Sequence, residues 1–254
     1  VKALLWLLAI FLLLYLALCV GLALFQRSLI YFPQAGSDLQ DPADTLRLEV
    51  PGASLAVSVR PHDGPRALLY FGGNAEDVAQ SLPAFSQEFP DRALYLMHYR
   101  GYGGSSGKPT EEALQSDAEA LFDLVHKTHR EIAVLGRSLG SGVAIRLASR
   151  RPVARLVLVT PYDSLEELAA GQFPYVPVSW ILRDKFESWR YAPAIRVPTL
   201  ILMAEQDEVI PPASTRRLAA RFNPGVAYLK VIPGVGHNSI SGSPRYFEYL
   251  RGGL

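Results

Sequence analysis

Hydrophobic and polar positions divide this 254-residue chain into two unlike parts. Among residues 1–25 only Lys2 and Gly21 fall outside the apolar set, and after them polar and apolar positions mix to the end. Ala3 to Phe25 is a run of 23 uncharged residues. As a helix rising ~1.5 Å per residue it reaches roughly 35 Å, enough for a ~30 Å hydrocarbon layer. The run predicts a transmembrane anchor over residues 1–26. A cleaved signal peptide is the alternative, but its apolar region would be ~7–15 residues closed by small residues. No A-x-A pattern closes this run, and in Leu16-Ala17-Leu18-Cys19 the residue before the Cys is too bulky for a lipoprotein cleavage box. Trp6 near one end, with Phe25, Tyr31 and Phe32 at the other, suits the two interfaces. Lys2 and the α-amino group, set against Arg27, favour a cytoplasmic N-terminus with the body on the non-cytoplasmic side.

Beyond a connector over 27–44, with Pro33, Gly36 and Pro42, short apolar runs alternate with helical patterns. Leu46–Val50 and Leu55–Arg60 are expected as a hairpin about Pro51-Gly52. Further strands are expected at Ala67–Phe71, Ala93–His98, Ile132–Leu135, Leu156–Val159, Thr199–Met203 and Ala227–Ile232. Helices are expected at Glu76–Phe89 (interrupted near Pro83), Thr110–Arg130, Leu139–Arg150, Ala213–Phe222 and Pro244–Leu250. The alternation predicts an α/β body over 45–254, a mostly parallel sheet with helices on both faces. The segment 161–198 breaks the rhythm. Its aromatics and prolines, Phe173-Pro174-Tyr175-Val176-Pro177-Val178-Ser179-Trp180, suggest a short lid-like insertion, with ordinary packing of short helices as the alternative.

Composition sharpens this picture. The chain is 49% hydrophobic; with residues 1–25 set aside, the remainder is roughly 44% apolar, close to the globular norm. Lys+Arg at 25 against Asp+Glu at 24 leaves a net charge of +1, with no cationic excess to neutralise phosphates, so no nucleic-acid partner is expected. The high apolar content excludes intrinsic disorder, and a single cysteine, Cys19, excludes a disulfide scaffold. No metal-ligand spacing and no phosphate-loop pattern is present, so neither a metal nor another cofactor is expected.

The chemistry concentrates in three loops. Gly136-Arg137-Ser138-Leu139-Gly140 lies between an expected strand and an expected helix, the context a G-x-S-x-G nucleophile elbow requires. The turn is tight enough that the residues two before and two after the serine must lack bulk, and both, Gly136 and Gly140, are glycine. A serine hydroxyl needs a base and the base an orienting acid, here in the order Ser, acid, His. After the strand Thr199–Met203 comes Glu205-Gln206-Asp207-Glu208, with Asp207 the preferred acid and Glu205 and Glu208 alternatives. After Ala227–Ile232 comes Gly236-His237-Asn238, with His237 the preferred base. Each lies beyond the carboxyl end of a strand, where sites in open α/β sheets form. Among the other histidines, His126 and His129 are expected to be solvated or capping near a helix end, His62 to sit in a turn, and His98 to end a strand. An oxyanion hole would take the backbone N–H groups of Leu139 and of Asn74 in Gly72-Gly73-Asn74-Ala75. Arg146, Arg150, Arg151 and Arg155 form a cluster expected to be a solvated helix face or a contact for anionic lipid.

With these residues in view, the chain resembles the membrane-anchored branch of the alpha/beta-hydrolase-domain family, which includes protein depalmitoylases, lysophosphatidylserine lipases and bacterial relatives. The resemblance runs from Phe25-Gln26-Arg27-Ser28-Leu29-Ile30-Tyr31-Phe32-Pro33 through Gly73-Asn74-Ala75-Glu76-Asp77 and Tyr99-Arg100-Gly101-Tyr102-Gly103-Gly104 to the elbow, Asp207-Glu208-Val209-Ile210-Pro211 and Gly236-His237-Asn238. It implies an alpha/beta-hydrolase fold with Ser138, Asp207 and His237 as the triad and Asn74 and Leu139 in the oxyanion hole. Three positions depart from the family's habit: Gly72 in place of His, His98 in place of Asp, and Ala204 in place of Gly. The first two bear on how the oxyanion loop is supported.

The reading is a membrane-anchored serine hydrolase cleaving carboxylic ester or thioester bonds, on an acyl-lipid or acylated substrate near the bilayer, without a cofactor. A serine peptidase or acyltransferase of the same fold, and a non-enzymatic membrane scaffold, are the rivals.

Overall fold

The computed structural model describes residues 1–36 and 44–254; Pro42, in the expected connector, lies outside the described residues. Among the described residues, eight strands form one sheet in the order β1-β2-β4-β3-β5-β6-β7-β8. The strands are β1 (Thr45–Val50), β2 (Ala53–Arg60), β3 (Arg66–Phe71), β4 (Ala93–Met97), β5 (Glu131–Arg137), β6 (Arg155–Val159), β7 (Thr199–Ala204) and β8 (Ala227–Ile232). Only β1–β2 and β2–β4 pair antiparallel; the remainder is parallel. The antiparallel edge comes from the Pro51-Gly52 turn, where Gly52 takes φ 77, a value that favours glycine.

Between their charged ends the central strands are apolar, because both faces are covered. In β3, β5 and β6 every residue after the first is buried or nearly so. One apolar layer, with Leu69, Phe71, Val134 and Leu158, packs under α3 (Glu111–Val125) and α4 (Leu139–Arg150). The other, with Leu68, Tyr70, Leu135 and Val157, packs against α2 (Leu82–Glu88) and α9 (Pro244–Gly253). The helix α8 (Pro212–Ala219) follows β7.

Local chemistry explains some helix ends. Thr110 caps α3, its hydroxyl accepting from the Ala113 N–H at 3.1 Å. The expected break near Pro83 is present, and the piece before it is not α-helical. A 3₁₀ turn over Val78–Ser81 comes first, and Pro83 sits in the first turn of α2, where its missing N–H costs no hydrogen bond. The α3 helix stops at Val125, five residues before the expected end.

Between β6 and β7 the chain leaves the sheet and forms α5 (Leu165–Gln172), α6 (Val178–Ile181) and α7 (Ser188–Tyr191). The base of this insert is closed by Leu165 N–H donating to the Lys185 carbonyl at 2.9 Å. The N-terminal helix α1 runs from Lys2 to Ile30 and is long and apolar enough to cross a membrane. Its side chains are exposed up to Leu18, and its last turns pack on the insert.

Candidate active site

Ser138 is the single residue between β5 and α4. Its backbone takes φ 50 and ψ −119, in a region that costs a non-glycine residue about 1–3 kcal/mol and persists only where the surroundings enforce it. Here the Ser138 N–H donates to the Val159 carbonyl at 2.9 Å, and the Ser138 carbonyl accepts from the N–H of Ser141 at 2.9 Å and its hydroxyl at 2.6 Å. The glycines of the motif are required by space. A Cβ on Gly140 would fall on the Phe71 carbonyl, and one on Gly136 would meet the Ala144 methyl at 2.6 Å.

The turn brings Ser138 Oγ to 2.9 Å from His237 Nε2. His237 Nδ1 lies 2.9 and 3.0 Å from the two carboxylate oxygens of Asp207. Asp207 is held in turn by the N–H groups of Val209 (3.0 Å) and Ile210 (2.7 Å), which donate to its Oδ1. Both His237 and Asp207 are buried, so water competes little for these bonds. The two alternative acids have separate work. Glu208 accepts from the His237 N–H at 3.1 Å and Glu205 from the Gly234 N–H at 2.9 Å. Both carboxylates brace the loop that carries His237.

The loop after β3 packs on the serine, and a Cβ on Gly73 would stand 3.5 Å from Ser138 Cβ. Ala75, with φ 60, makes its left-handed turn. Asn74 is fixed through its side chain. Its Oδ1 accepts from the Phe32 N–H (3.0 Å) and the Tyr102 hydroxyl (2.8 Å), and its Nδ2 donates to the Ile30 carbonyl at 2.5 Å. Burial pushes the Tyr102 phenol up to about 12, so it remains a donor at neutral pH. Glu76 braces the same loop, accepting from the Gly73 N–H (2.7 Å) and the Tyr70 hydroxyl (2.6 Å) and pairing with Arg137 at 3.4 Å. Among the described residues, no protein acceptor takes the N–H of Asn74 or Leu139.

This geometry has relatives. The alpha/beta hydrolase fold family matches residues 70–188. An uncharacterized protein of Mycobacterium tuberculosis is 35% identical, over 84% of this chain and 80% of its own length. The chain belongs to the alpha/beta hydrolase fold family. The alpha/beta hydrolase domain-containing protein 17B of Homo sapiens is 31% identical over 72% of this chain and 64% of its own. Among solved structures, an esterase of Pyrococcus furiosus superposes with a TM-score of 0.69 at 16% identity, covering 89% of this chain and 96% of that one. Est1E of Butyrivibrio proteoclasticus, solved with ferulic acid, gives 0.66 at 17%, covering 81% and 94%. At such identities these two show the fold. Ser138, His237 and Asp207 stand in the arrangement of a serine-hydrolase triad, and the chain is an enzyme of that type.

Two cavities meet at the nucleophile of this hydrolase. One, of about 500 Å³, is polar and bounded by Gln34, Asn74, Asp77, Arg137, His237 and Asn238. The other, of about 380 Å³, is apolar and passes from Ser138 and Leu139 between α1 and the insert. Its α1 side is fixed by contacts that sequence reasoning missed. Gln26, buried at the end of α1, donates to the Ile181 carbonyl (3.0 Å) and accepts from the Arg183 N–H (2.7 Å). Asp184 accepts from Tyr31 (3.0 Å) and from Arg27 (3.1 Å). Burial and then the Asp184 carboxylate push the Tyr31 phenol far up, keeping it a donor. The available signal was Gln26, a polar residue placed directly at the end of an apolar run.

The remaining residues fall outside the site. His98 is buried, its Nε2 2.8 Å from the Ser58 hydroxyl. Burial lowers it to about 4; Asp77 acts against that shift and Arg47 with it. The loop after β3 is supported by Glu76 and by Tyr99, whose hydroxyl donates to the Gly72 carbonyl at 2.8 Å. His129 is neither solvated nor capping. It is buried, with Nδ1 2.9 Å from the Gly64 carbonyl and Nε2 3.2 Å from the Tyr95 hydroxyl. His126 stacks on Phe122, and His62 Nδ1 accepts from the Gly64 N–H at 2.9 Å within its turn. Arg150 and Arg151 pair with Glu119, and Arg151 also with Asp123, across α3 and α4, while Arg146 lies over the Tyr191 ring.

Proposed function

We propose that this chain is a membrane-anchored serine hydrolase that cleaves carboxylic ester or thioester bonds through an acyl-enzyme. The observation that carries the reading is the continuous relay from Ser138 Oγ through His237 to Asp207, each link at 2.9 Å. Ser138 attacks the acyl carbon while His237 Nε2 takes its proton. Asp207 holds the Nδ1–H tautomer and stabilises the imidazolium as it forms. The oxyanion is received by the N–H groups of Asn74 and Leu139, the first aimed by a clamped side chain, the second at the N-terminus of α4. His237 returns the proton to the leaving oxygen or sulfur. Water, activated by the same base, then releases the acid.

Anchoring is supported by the length and apolarity of α1 and by the way its end is bonded into the body. A cleaved leader would have no use for Gln26 and Tyr31 contacts beside the nucleophile. An ester substrate agrees with the esterases that share the fold, and the apolar cavity at Ser138 agrees with an acyl group. Purified protein is expected to hydrolyse p-nitrophenyl butanoate and to leave an aminoacyl p-nitroanilide intact, with the ester activity lost in Ser138→Ala. Faster amide than ester cleavage would replace the esterase with a peptidase.

A further inference from the structure

The apolar cavity is built jointly by the α1 helix and the insert. Leu22, Leu29 and Ile30 line it from α1, and Leu168, Ala169 and Phe173 from the insert, with Ser138 and Leu139 at its inner end. At about 380 Å³ it lies toward the lower end of the ~300–1,000 Å³ range of ligand sites. Its outer end is at the tip of the insert, where Phe173 is half exposed and Tyr175 and Trp180 are 87% and 89% exposed. That tip lies beside α1 well inside the apolar run. The Tyr15 hydroxyl donates to the Tyr175 carbonyl at 2.8 Å, and Tyr15 is about 16 Å along the helix from Gln26 at ~1.5 Å per residue. In hydrocarbon a backbone carbonyl must find its partner within the protein, and here the partner comes from the apolar helix itself. The exposed rings of Phe173, Tyr175 and Trp180 give the tip an apolar surface.

We propose that this cavity is a fatty-acyl site fed from the bilayer: the insert tip dips into the membrane beside α1, and the chain of a membrane-resident acyl ester or thioester slides between helix and insert until its carbonyl reaches Ser138. The anchor thus forms one wall of the substrate site, in addition to holding the enzyme at the surface. The polar cavity on the far side of Ser138 receives the leaving group. The inference rests on the serine-hydrolase reading and adds the route by which the acyl chain arrives and the part α1 takes in its site. It requires α1 to stay docked, which gives the Gln26 and Asp184 bonds their purpose.

The experiment uses the full chain in lipid nanodiscs and compares kcat/KM for p-nitrophenyl dodecanoate with that for the butanoate. Leu22→Trp fills the cavity from α1, Ala169→Trp fills it from the insert, and Leu8→Trp changes a lipid-facing position outside the cavity. Both filling variants are expected to lower the dodecanoate-to-butanoate ratio tenfold or more, and Leu8→Trp to leave it unchanged. Fluorophosphonate labelling at Ser138 reports that each variant is folded. Labelling intact with the ratio unmoved in both filling variants overturns the acyl site and leaves the hydrolase standing. Folded wild type that neither labels nor cleaves the butanoate overturns the hydrolase reading and this inference with it. Repeating the comparison with a monoacylglycerol and with an S-acylated peptide in the nanodisc separates the two sources of such a chain. Whichever is cleaved is expected to lose its long-chain preference in the filling variants.

Discussion

Single residues carry the chemistry, and those that do were the most legible in the sequence. A serine with glycines two positions before and after it at a strand–helix junction permits little else, because Gly140 lies against the Phe71 carbonyl and Gly136 against α4. The acid was harder to choose, since three carboxylates share one loop. The structure separates them by what they accept, Asp207 from the imidazole and Glu205 and Glu208 from backbone. Asp207→Asn, which keeps the shape but favours the wrong tautomer, is expected to lower kcat about 10⁴-fold in an ester assay. His129 was misread because a histidine near a helix end looks solvated until Tyr95 and Gly64 are brought to it from elsewhere in the chain. His98 makes a pH prediction. Its value of about 4 in the folded protein lies below the ~6.5 of an unfolded histidine. Between those values the unfolded chain binds a proton that the folded one refuses, so stability falls as pH drops from about 6.5 to about 4 and then levels off. The expected loss is of order 3 kcal/mol. Thermal midpoints in micelles at pH 7 and pH 5 are expected to diverge in wild type and to draw together in His98→Gln.

Elements set where those residues stand. The order of strands and helices followed from apolar periodicity, because each buried strand is a short apolar run and each covering helix shows its own spacing. Ends were less legible. Thr110 announced the start of α3, but no glycine or proline marks its end, and the tertiary bonds of His129 accompany the stop at Val125. The brace on the loop after β3 was also hidden, since Glu76 joins Tyr70 of β3 to Arg137 of the elbow, 61 positions away. Glu76→Gln is expected to loosen that loop and lower kcat roughly 10- to 10²-fold with a smaller change in KM, read in steady-state ester kinetics. A second brace joins the loop after β4 to α3, where Arg100 makes two bonds to buried Asp117 at 2.7 and 2.8 Å. Arg100→Ala leaves that carboxylate unpaired and is expected to cost about 3–5 kcal/mol, measured as a fall in thermal midpoint.

At the scale of the whole molecule, the division into an apolar run and an ordinary body was plain in the sequence, whereas their union was not. It depends on Gln26, Arg27 and Tyr31 meeting the segment Ile181–Asp184, more than 150 positions away. The anchored reading predicts that the full chain stays in the membrane pellet through alkaline carbonate extraction. The balance of Lys2 against Arg27 predicts that the body is digested by protease added to the non-cytoplasmic face; protection there would reverse the orientation. Fold and triad converge on a serine hydrolase, and one measurement tests that most directly. Folded wild-type protein and Ser138→Ala are treated with a fluorophosphonate probe at neutral pH, and the adduct is mapped by mass spectrometry. The account predicts a single adduct on Ser138 in wild type and none in the variant. Folded wild type that remains unlabelled, or a variant that labels equally, would contradict it.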